Sequence, residues 1–507
     1  MTDTPMARLD TPYLDQQFIN NQWVTSHGQR RLAVTDPFRE AVIAEVTAGD
    51  PADVDAAVVA ARLALPAWRR LGGTRRAHYL DGFADALTRR REALIHLSST
   101  NNGKAIAEAA IDLDDAIACY RYYAGQARAL DARQGESVEL EMKGVVARCY
   151  HDPVGVVGLI TPWNFPLVTS AWKLAPALAA GCTVILKPSE VTPLPEKVLA
   201  DIALDIGLPA GVLNLLHGDG QGIGAPISRH PGIDKISFTG SNRVGEAVMR
   251  AASDTTKGVS LELGGKSPIL VMEDADPQQA AAWVMAGIYF NSGQICSATS
   301  RLIVHQTIAD ALYAALAERI DAIRLGDPLS PTTDMGPLTS AHQRDGVQRH
   351  LDIAAAEQLI AVRDARHREL PKQGYFLAPT LYRDVPVTSR LWREEIFGPV
   401  LCGRSVASEE EAIELANDSD FGLVATVISG DSERAQRIGR EMQAGSIWFN
   451  SEQLVLSETA WGGFKRSGIG RELGPWGLAA YLEVKHIIGP AGAASGESRS
   501  ETAAQRP

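Results

Sequence analysis

Residues 154–253 read VGVVGLITPWNFPLVTSAWKLAPALAAGCTVILKPSEVTPLPEKVLADIALDIGLPAGVLNLLHGDGQGIGAPISRHPGIDKISFTGSNRVGEAVMRAAS, and their pattern decides the fold. Short apolar runs rich in β-branched residues (VGVVGLI, TVILKP, VLNLLHG, KISFTGS) alternate with stretches of helical period. Strands separated by helices predict parallel βαβ units and a doubly wound α/β sheet. Such sheets bind ligands beyond the carboxyl ends of their strands. TPWN (161–164), KPSE (187–190) and FTGS (238–241) each follow a strand, so the chemistry is sought there.

Working outward, a second α/β region spans about 265–450. Upstream, an irregular arm over about 1–35 carries one short strand pair near Gln17–Val24. Asp50, Pro51 and Asp53 open a helix as N-cap, first-turn proline and first-turn acid. Further helices are predicted across about 75–100 and 103–130. Then Val138, Leu140 and Met142 alternate with Glu139, Glu141 and Lys143, which predicts a half-exposed strand pairing outside its own domain. YLEVKHII (481–488) reads as a last strand, and the small polar residues after it read as a disordered tail.

The 507 residues suggest about two to four domains. A 45% hydrophobic and 22% charged composition is that of a globular protein with a large core. The net charge of -12 argues against non-specific nucleic-acid binding and mildly favours approach of a cation. The N-terminus lacks the basic and apolar regions of a secretory signal. The longest apolar run, Ala171–Leu186, is interrupted by Lys173 and Pro176 and is too short to span a membrane. Five cysteines, an odd number without CxxC or Cys/His spacing, indicate reduced thiols in the cytoplasm and no metal site.

Val259–Arg301 holds a Glu in an apolar strand (Glu262), a diglycine and Cys296 after a Gly-Gln-Ile turn. A thiol and a buried carboxylate can serve as nucleophile and water-activating base, although alone they could be ordinary core residues. Asn164 at a strand end is a suitable oxyanion donor or a simple turn residue. Gly240 and Gly245 frame a helix start that can face a pyrophosphate, though without the usual G-x-G-x-x-G. Lys187 and Glu190 suit an adenosine ribose, and the acid would repel a 2′-phosphate, favouring NAD over NADP. Glu395 and Phe397 add an acid and an aromatic before a Gly-Pro break, and Trp461 precedes a glycine-rich loop.

In order, TPWNFP, LKPSE, FTGS, LELGGKSP, GQIC, EEIFGPV and GGFKRSGIGRELG resemble the NAD(P)-dependent aldehyde dehydrogenase superfamily over roughly 15–490. The local spelling is nearest its betaine-aldehyde and aminoaldehyde branch. The resemblance implies an aldehyde dehydrogenase fold with a Rossmann-like cofactor domain (1–133 and 154–264) and an α/β catalytic domain (265–467). It adds a β-strand oligomerisation arm (134–153 and 468–490) before the tail (491–507), and hence a homodimer or homotetramer. It implies Cys296 as nucleophile, Glu262 as general base, Asn164 as oxyanion donor with the Cys296 N–H, and Lys173 and Glu472 as a proton relay. NAD would lie along Thr161, Pro162, Trp163, Lys187, Ser189, Glu190, Phe238, Thr239, Gly240, Ser241, Gly245, Leu263, Glu395 and Phe397.

That branch encloses an ammonium group in four aromatics, matched here by Phe165, Trp172, Phe290 and Trp461. Phe165 and Phe290 stand where Tyr and Trp are more usual, which weakens the box. Asp112 and Asp115 match its acidic mouth, and Ser446 a position where size governs access. An amino- or trimethylammonium-aldehyde is therefore expected, with a broad aliphatic or aromatic aldehyde as the alternative. CoA-acylating relatives typically lack the carboxylate that Glu262 supplies, and a non-enzymatic relative would be expected to lose Cys296 or Glu262. Asn101 replaces an acid that helps many relatives hold an alkali cation.

Overall fold

The computed structural model describes residues 12–364, 366 and 368–491. Two large sheets dominate it. The first has eight strands in the order Gln22–Thr25, Gln16–Ile19, Leu213–Leu215, Thr183–Lys187, Val156–Ile160, Lys235–Thr239, Gly258–Glu262 and Gly468–Ile469. Its five central strands are parallel. The chain winds outward from Val156–Ile160 in one direction, then returns to add Lys235–Thr239 on its other side. That reversal opens a crevice between the carboxyl ends of these two strands. TPWN leaves one strand there and TGS leaves the other, as their position in the sequence suggested.

Local chemistry explains these elements. Val156–Ile160 and Thr183–Lys187 are buried throughout, which is why they read as continuous apolar runs rather than alternating ones. Between them, Pro166–Ala180 packs nearly every side chain inside and ends at Gly181 with φ 99°. Asp50 caps Pro51–Arg70, and Asp53 returns the bond to the Asp50 N–H.

The second sheet has seven strands in the order Ile360–Arg363, Thr380–Arg383, Val400–Val406, Arg301–His305, Pro268–Val271, Val424–Ile428 and Ser446–Phe449. All but its first pair are parallel. Each large sheet has its own apolar core. The Gly468–Ile469 strand returns from the far end of the chain to the edge of Gly258–Glu262, so Glu262 is held from both sides.

A third sheet pairs Leu482–Pro490 antiparallel with Val145–Pro153 along their whole length, and Glu136–Val138 lies on the other edge. The strand expected over 138–142 stops at Val138. Leu140 and Met142 are exposed in a turn ended by Gly144 at φ 79°. Alternation alone suggested a strand, but with neither face covered it had no packing to favour one. The span 75–100 is two helices, Gly73–Arg89 and Arg91–Asn102, broken at Arg90. A strand pair not anticipated from the sequence, Arg31–Asp36 with Ala41–Thr47, follows the N-terminal pair. The tail expected over 491–507 lies, past 491, outside the described residues, as do 1–11 of the arm. Among the described residues no helix is long and apolar enough to cross a membrane.

Candidate active site

A cavity of about 680 Å³ lies at the crevice and brings together residues from across the chain. Its wall includes Cys296, Glu262, Asn164, Glu472, Pro162, Trp163, Thr239, Gly240, Ser241, Leu263, Glu395 and Phe397. Phe165, Trp172, Phe290, Trp461, Asp112 and Asp115 line it as well.

Cys296 follows a distorted turn. Asn291 and Ser292 have φ 48° and 55°, left-handed values that non-glycine residues rarely adopt. Gly293 has φ 74°, and a Cβ there would stand 2.1 Å from Gly398 O, so no side chain fits. The Asn164 amide donates to Gln294 O at 3.0 Å, tying the strand-end turn to the cysteine turn. Burial, then Glu262 and Glu395, push the Cys296 thiol up to about 12. Burial and these two carboxyls thus oppose the thiolate.

Glu262 ends a buried strand, and neither of its oxygens has a hydrogen-bond partner among the described residues. Burial and the nearby Glu472 hold its carboxyl well above the usual range. Glu472 is engaged: the Lys173 ammonium and the Ser237 hydroxyl (3.0 Å) donate to its Oε1. Lys173, fully buried on Pro166–Ala180, also donates to Thr239 Oγ1 at 2.6 Å. An unpartnered buried carboxyl beside a buried Lys–Glu pair loses its hydration without gaining a bond, so it does not contribute to the stability of the fold.

On the wall formed by TPWN and EEIFGPV, Trp163 and Phe397 meet edge to face at 5.3 Å. Glu395 Oε1 accepts the Gly265 N–H at 3.0 Å, and burial pushes its carboxyl up to about 7. A Cβ on Gly264 would sit 2.3 Å from Glu395 Oε2, so the diglycine is what admits this acid. Lys187 Nζ reaches Glu190 Oε2 at 3.1 Å at the end of its strand, with Ser189 between them. Thr161 donates to Glu196 Oε1 at 2.6 Å. Lys187, Ser189, Glu190 and Thr161 stand outside the cavity wall. So do Phe238 and Gly245: Phe238 lies under Gly240, and Gly245 packs on Leu263.

At the mouth, Phe165 and Phe290 lie parallel, 6.1 Å apart with planes 4° off. Trp172 and Trp461 meet at 5.3 Å, with Trp448 behind Trp461 at 6.4 Å. Two details alter the sequence reading. Lys104, fully buried, lies 4.0 Å from the Phe165 ring centroid and pairs with Asp112 at 3.2 Å. Asp112 is therefore a partnered acid rather than a free one. Asp115 has no ion pair among the described residues, and burial with Asp112 and Asp114 nearby pushes it up to about 6. Ser446 is not in the cavity wall; it points to Ala460 O at 3.5 Å, one residue from Trp461. Ile111, Glu452, Leu454, Val455 and Leu456 also line the mouth. They carry no motif, and the sequence reading passed over them. Asn101 binds Val191 O and the Leu194 N–H with its amide.

The aldehyde dehydrogenase family profile matches residues 23–487. The chain is 42% identical to the chloroplastic betaine aldehyde dehydrogenase of Beta vulgaris, covering 93% of this chain and 95% of that one. It is 44% identical to peroxisomal aminoaldehyde dehydrogenase 2 of Pisum sativum, with 94% and 96% covered. Among solved structures, a double mutant of Staphylococcus aureus betaine aldehyde dehydrogenase in complex with NAD+ superposes with a TM-score of 0.91 at 36% identity, covering 94% of this chain and 96% of that one. A mutant aldehyde dehydrogenase of Bacillus cereus gives 0.91 at 38%, with the same coverage. This chain belongs to the aldehyde dehydrogenase family.

Proposed function

We propose that this protein oxidises an amino- or trimethylammonium-aldehyde to its carboxylic acid, with NAD as oxidant and a thioester on Cys296. The observation that carries the reading is the shared cavity of Cys296, unpartnered Glu262 and the Asn164 amide. The residues suit NAD. Ser241 and the start of the Asn242–Ser253 helix offer N–H groups to a pyrophosphate. Glu395 suits the nicotinamide ribose, and Lys187 with Glu190 the adenosine ribose. Bound NAD+ supplies the hydride acceptor.

Cys296 adds to the carbonyl carbon as thiolate, and the Asn164 amide with the Cys296 N–H stabilises the oxyanion. Loss of hydride leaves the thioester. Glu262, as carboxylate, then takes a proton from water, which attacks and frees the acid. Glu472 and Lys173, bonded to each other, then pass that proton onward in this reading.

The ammonium reading is supported by the four aromatics and by Asp115, the mouth acid without an ion pair among the described residues. Asp112 assists only indirectly, since Lys104 neutralises it. The apolar wall of Ile111, Leu454, Val455 and Leu456 favours the second reading, a broad aliphatic or aromatic aldehyde dehydrogenase. Steady-state rates with NAD+ and NADP+ on betaine aldehyde, 3-aminopropanal, 4-aminobutanal, 4-trimethylaminobutanal, hexanal and benzaldehyde decide between them. A kcat/KM for hexanal or benzaldehyde above every ammonium aldehyde rejects the first reading.

The division into a cofactor domain (1–133 and 154–264), catalytic domain (265–467) and arm (134–153 and 468–490) belongs to the same proposal. Val146, Val484, Ile487 and Ile488, exposed on the third sheet, support an arm that associates into a homodimer or homotetramer. Light scattering on the purified protein tests it, and a monomer would reject it. Five free cysteines support a reducing, cytoplasmic setting, which fractionation of cells expressing the chain would check.

A further inference from the structure

The strained turn ahead of Cys296 is held by a buried acid that no part of the proposed chemistry uses. Asn291 and Ser292 sit in the left-handed region, and such strain persists only where the surroundings over-determine it. Most of the bonds on this turn are between neutral groups. Asn291 Nδ2 donates to Asn164 O at 3.2 Å, and Ser292 Oγ to Gly336 O at 2.8 Å. The exception is the Asn291 N–H, which donates to Glu108 Oε1 at 2.7 Å. This carboxyl oxygen is the one acceptor among these bonds that can carry charge.

Glu108 is buried in the first turn of the Ile106–Ala132 helix. Its Oε2 accepts the Ala105 N–H at 3.0 Å, the ordinary work of a helix cap. The cap accounts for one oxygen and leaves the other for the distant turn. Burial raises this carboxyl to about 7 while Lys104 and the two N–H groups act against the rise. The same helix then carries Asp112 and Asp115 to the cavity mouth, four and seven residues on, along one face.

We propose that Glu108 is a positioning residue: its buried carboxyl group, accepting the Asn291 N–H, holds the left-handed Asn291–Ser292 turn, and so sets Cys296 against the Asn164 amide. The role rests on the thioester reading above. It also makes the helix that presents the mouth acids the brace of the nucleophile.

The test compares Glu108→Ala and Glu108→Gln with the parent. It reads kcat, KM for NAD+, and Cys296 alkylation by iodoacetamide followed by peptide mass. Glu108→Ala should lower kcat about a hundredfold while KM for NAD+ stays within about twofold, because alignment and not cofactor binding is lost. Alkylation should change about tenfold in rate, since the turn sets how the half-buried thiol faces the cavity. Glu108→Gln retains an acceptor for the Asn291 N–H and should recover about a tenth of the parent kcat. A Glu108→Ala kcat within about threefold of the parent overturns the proposal, as does an equal loss of kcat and NAD+ affinity. If Glu108→Ala does not fold, Glu108→Asp replaces it: too short to span both bonds, it should fall below Glu108→Gln, and the reverse order overturns the proposal. A parent chain that oxidises no aldehyde rejects the function reading, whereas alkylation needs no turnover and still reports on the turn.

Discussion

The two ends of the cavity are built differently. The chemical end is fixed by backbone: a sheet edge holding Glu262 from both sides, two left-handed residues and a glycine that admits no Cβ. The mouth is fixed by side chains on separate segments, around Ile111, Phe165, Phe290 and Leu454. Backbone geometry tolerates few replacements, while side chains of a mouth can change without moving the sheet. One fold can therefore keep a reaction and vary its aldehyde. Substitutions at the two ends should differ in size and in kind.

The largest effect is expected from Cys296→Ala, which should lower kcat by at least about 10³-fold with NAD+ binding retained. Turnover near that of the parent would end the distinction between the two ends, because the thiol would then not be the reacting atom. Glu262→Gln should lower kcat about 10²–10⁴-fold. The parent rate should also rise with pH, because a carboxyl held above its usual range becomes a base only as it ionises. Glu262→Gln should flatten that rise, and a pH profile unchanged by the substitution would move the base elsewhere.

Much of the chemical end was legible because motif and strand end coincide. TPWN and TGS follow the two strands at the point where strand order reverses, and GQIC follows a helix. The mouth was legible by residue type and not by partner. Phe165 reads as a box aromatic, but Lys104, sixty-one residues earlier, takes a place over its ring and neutralises Asp112. No local pattern encodes a pairing between a helix start and a strand-end turn. Ser446 lies close to Trp461 in the fold yet faces Ala460, a direction set by the pleat of its strand rather than its identity. Leu140 and Met142 alternate like a strand, but without a covered face the pattern had nothing to specify.

At the mouth, Asp115→Asn should raise KM for ammonium aldehydes about two- to fivefold near neutral pH, the scale of a partly exposed charge pair. The sign with pH follows from a carboxyl raised to about 6: the parent KM should fall as pH rises through that value, because Asp115 becomes charged. Folding stability should move oppositely, falling between the unfolded carboxyl's value and about 6, since the folded chain keeps the proton longer. Hexanal should respond to neither the substitution nor this titration. An equal change for hexanal would mean that Asp115 shapes the mouth rather than attracting a cation.

A last effect, of the same size, tests the box itself. Phe165 and Phe290 face each other at 6.1 Å, with Lys104 already lying over Phe165, so Phe290 is the ring whose quadrupole is freer for a substrate. Phe290→Trp enlarges that quadrupole and should lower KM for betaine aldehyde about two- to fivefold, the range for one improved cation–π contact. The larger ring also narrows the gap between the parallel faces, so kcat for benzaldehyde should drop if flat substrates use the same slot. Steady-state kinetics on both aldehydes separate the terms. A lower KM for betaine aldehyde with benzaldehyde unaffected places the ammonium between the rings. The opposite result places the flat aldehyde there and leaves Asp115 to hold the cation at the rim.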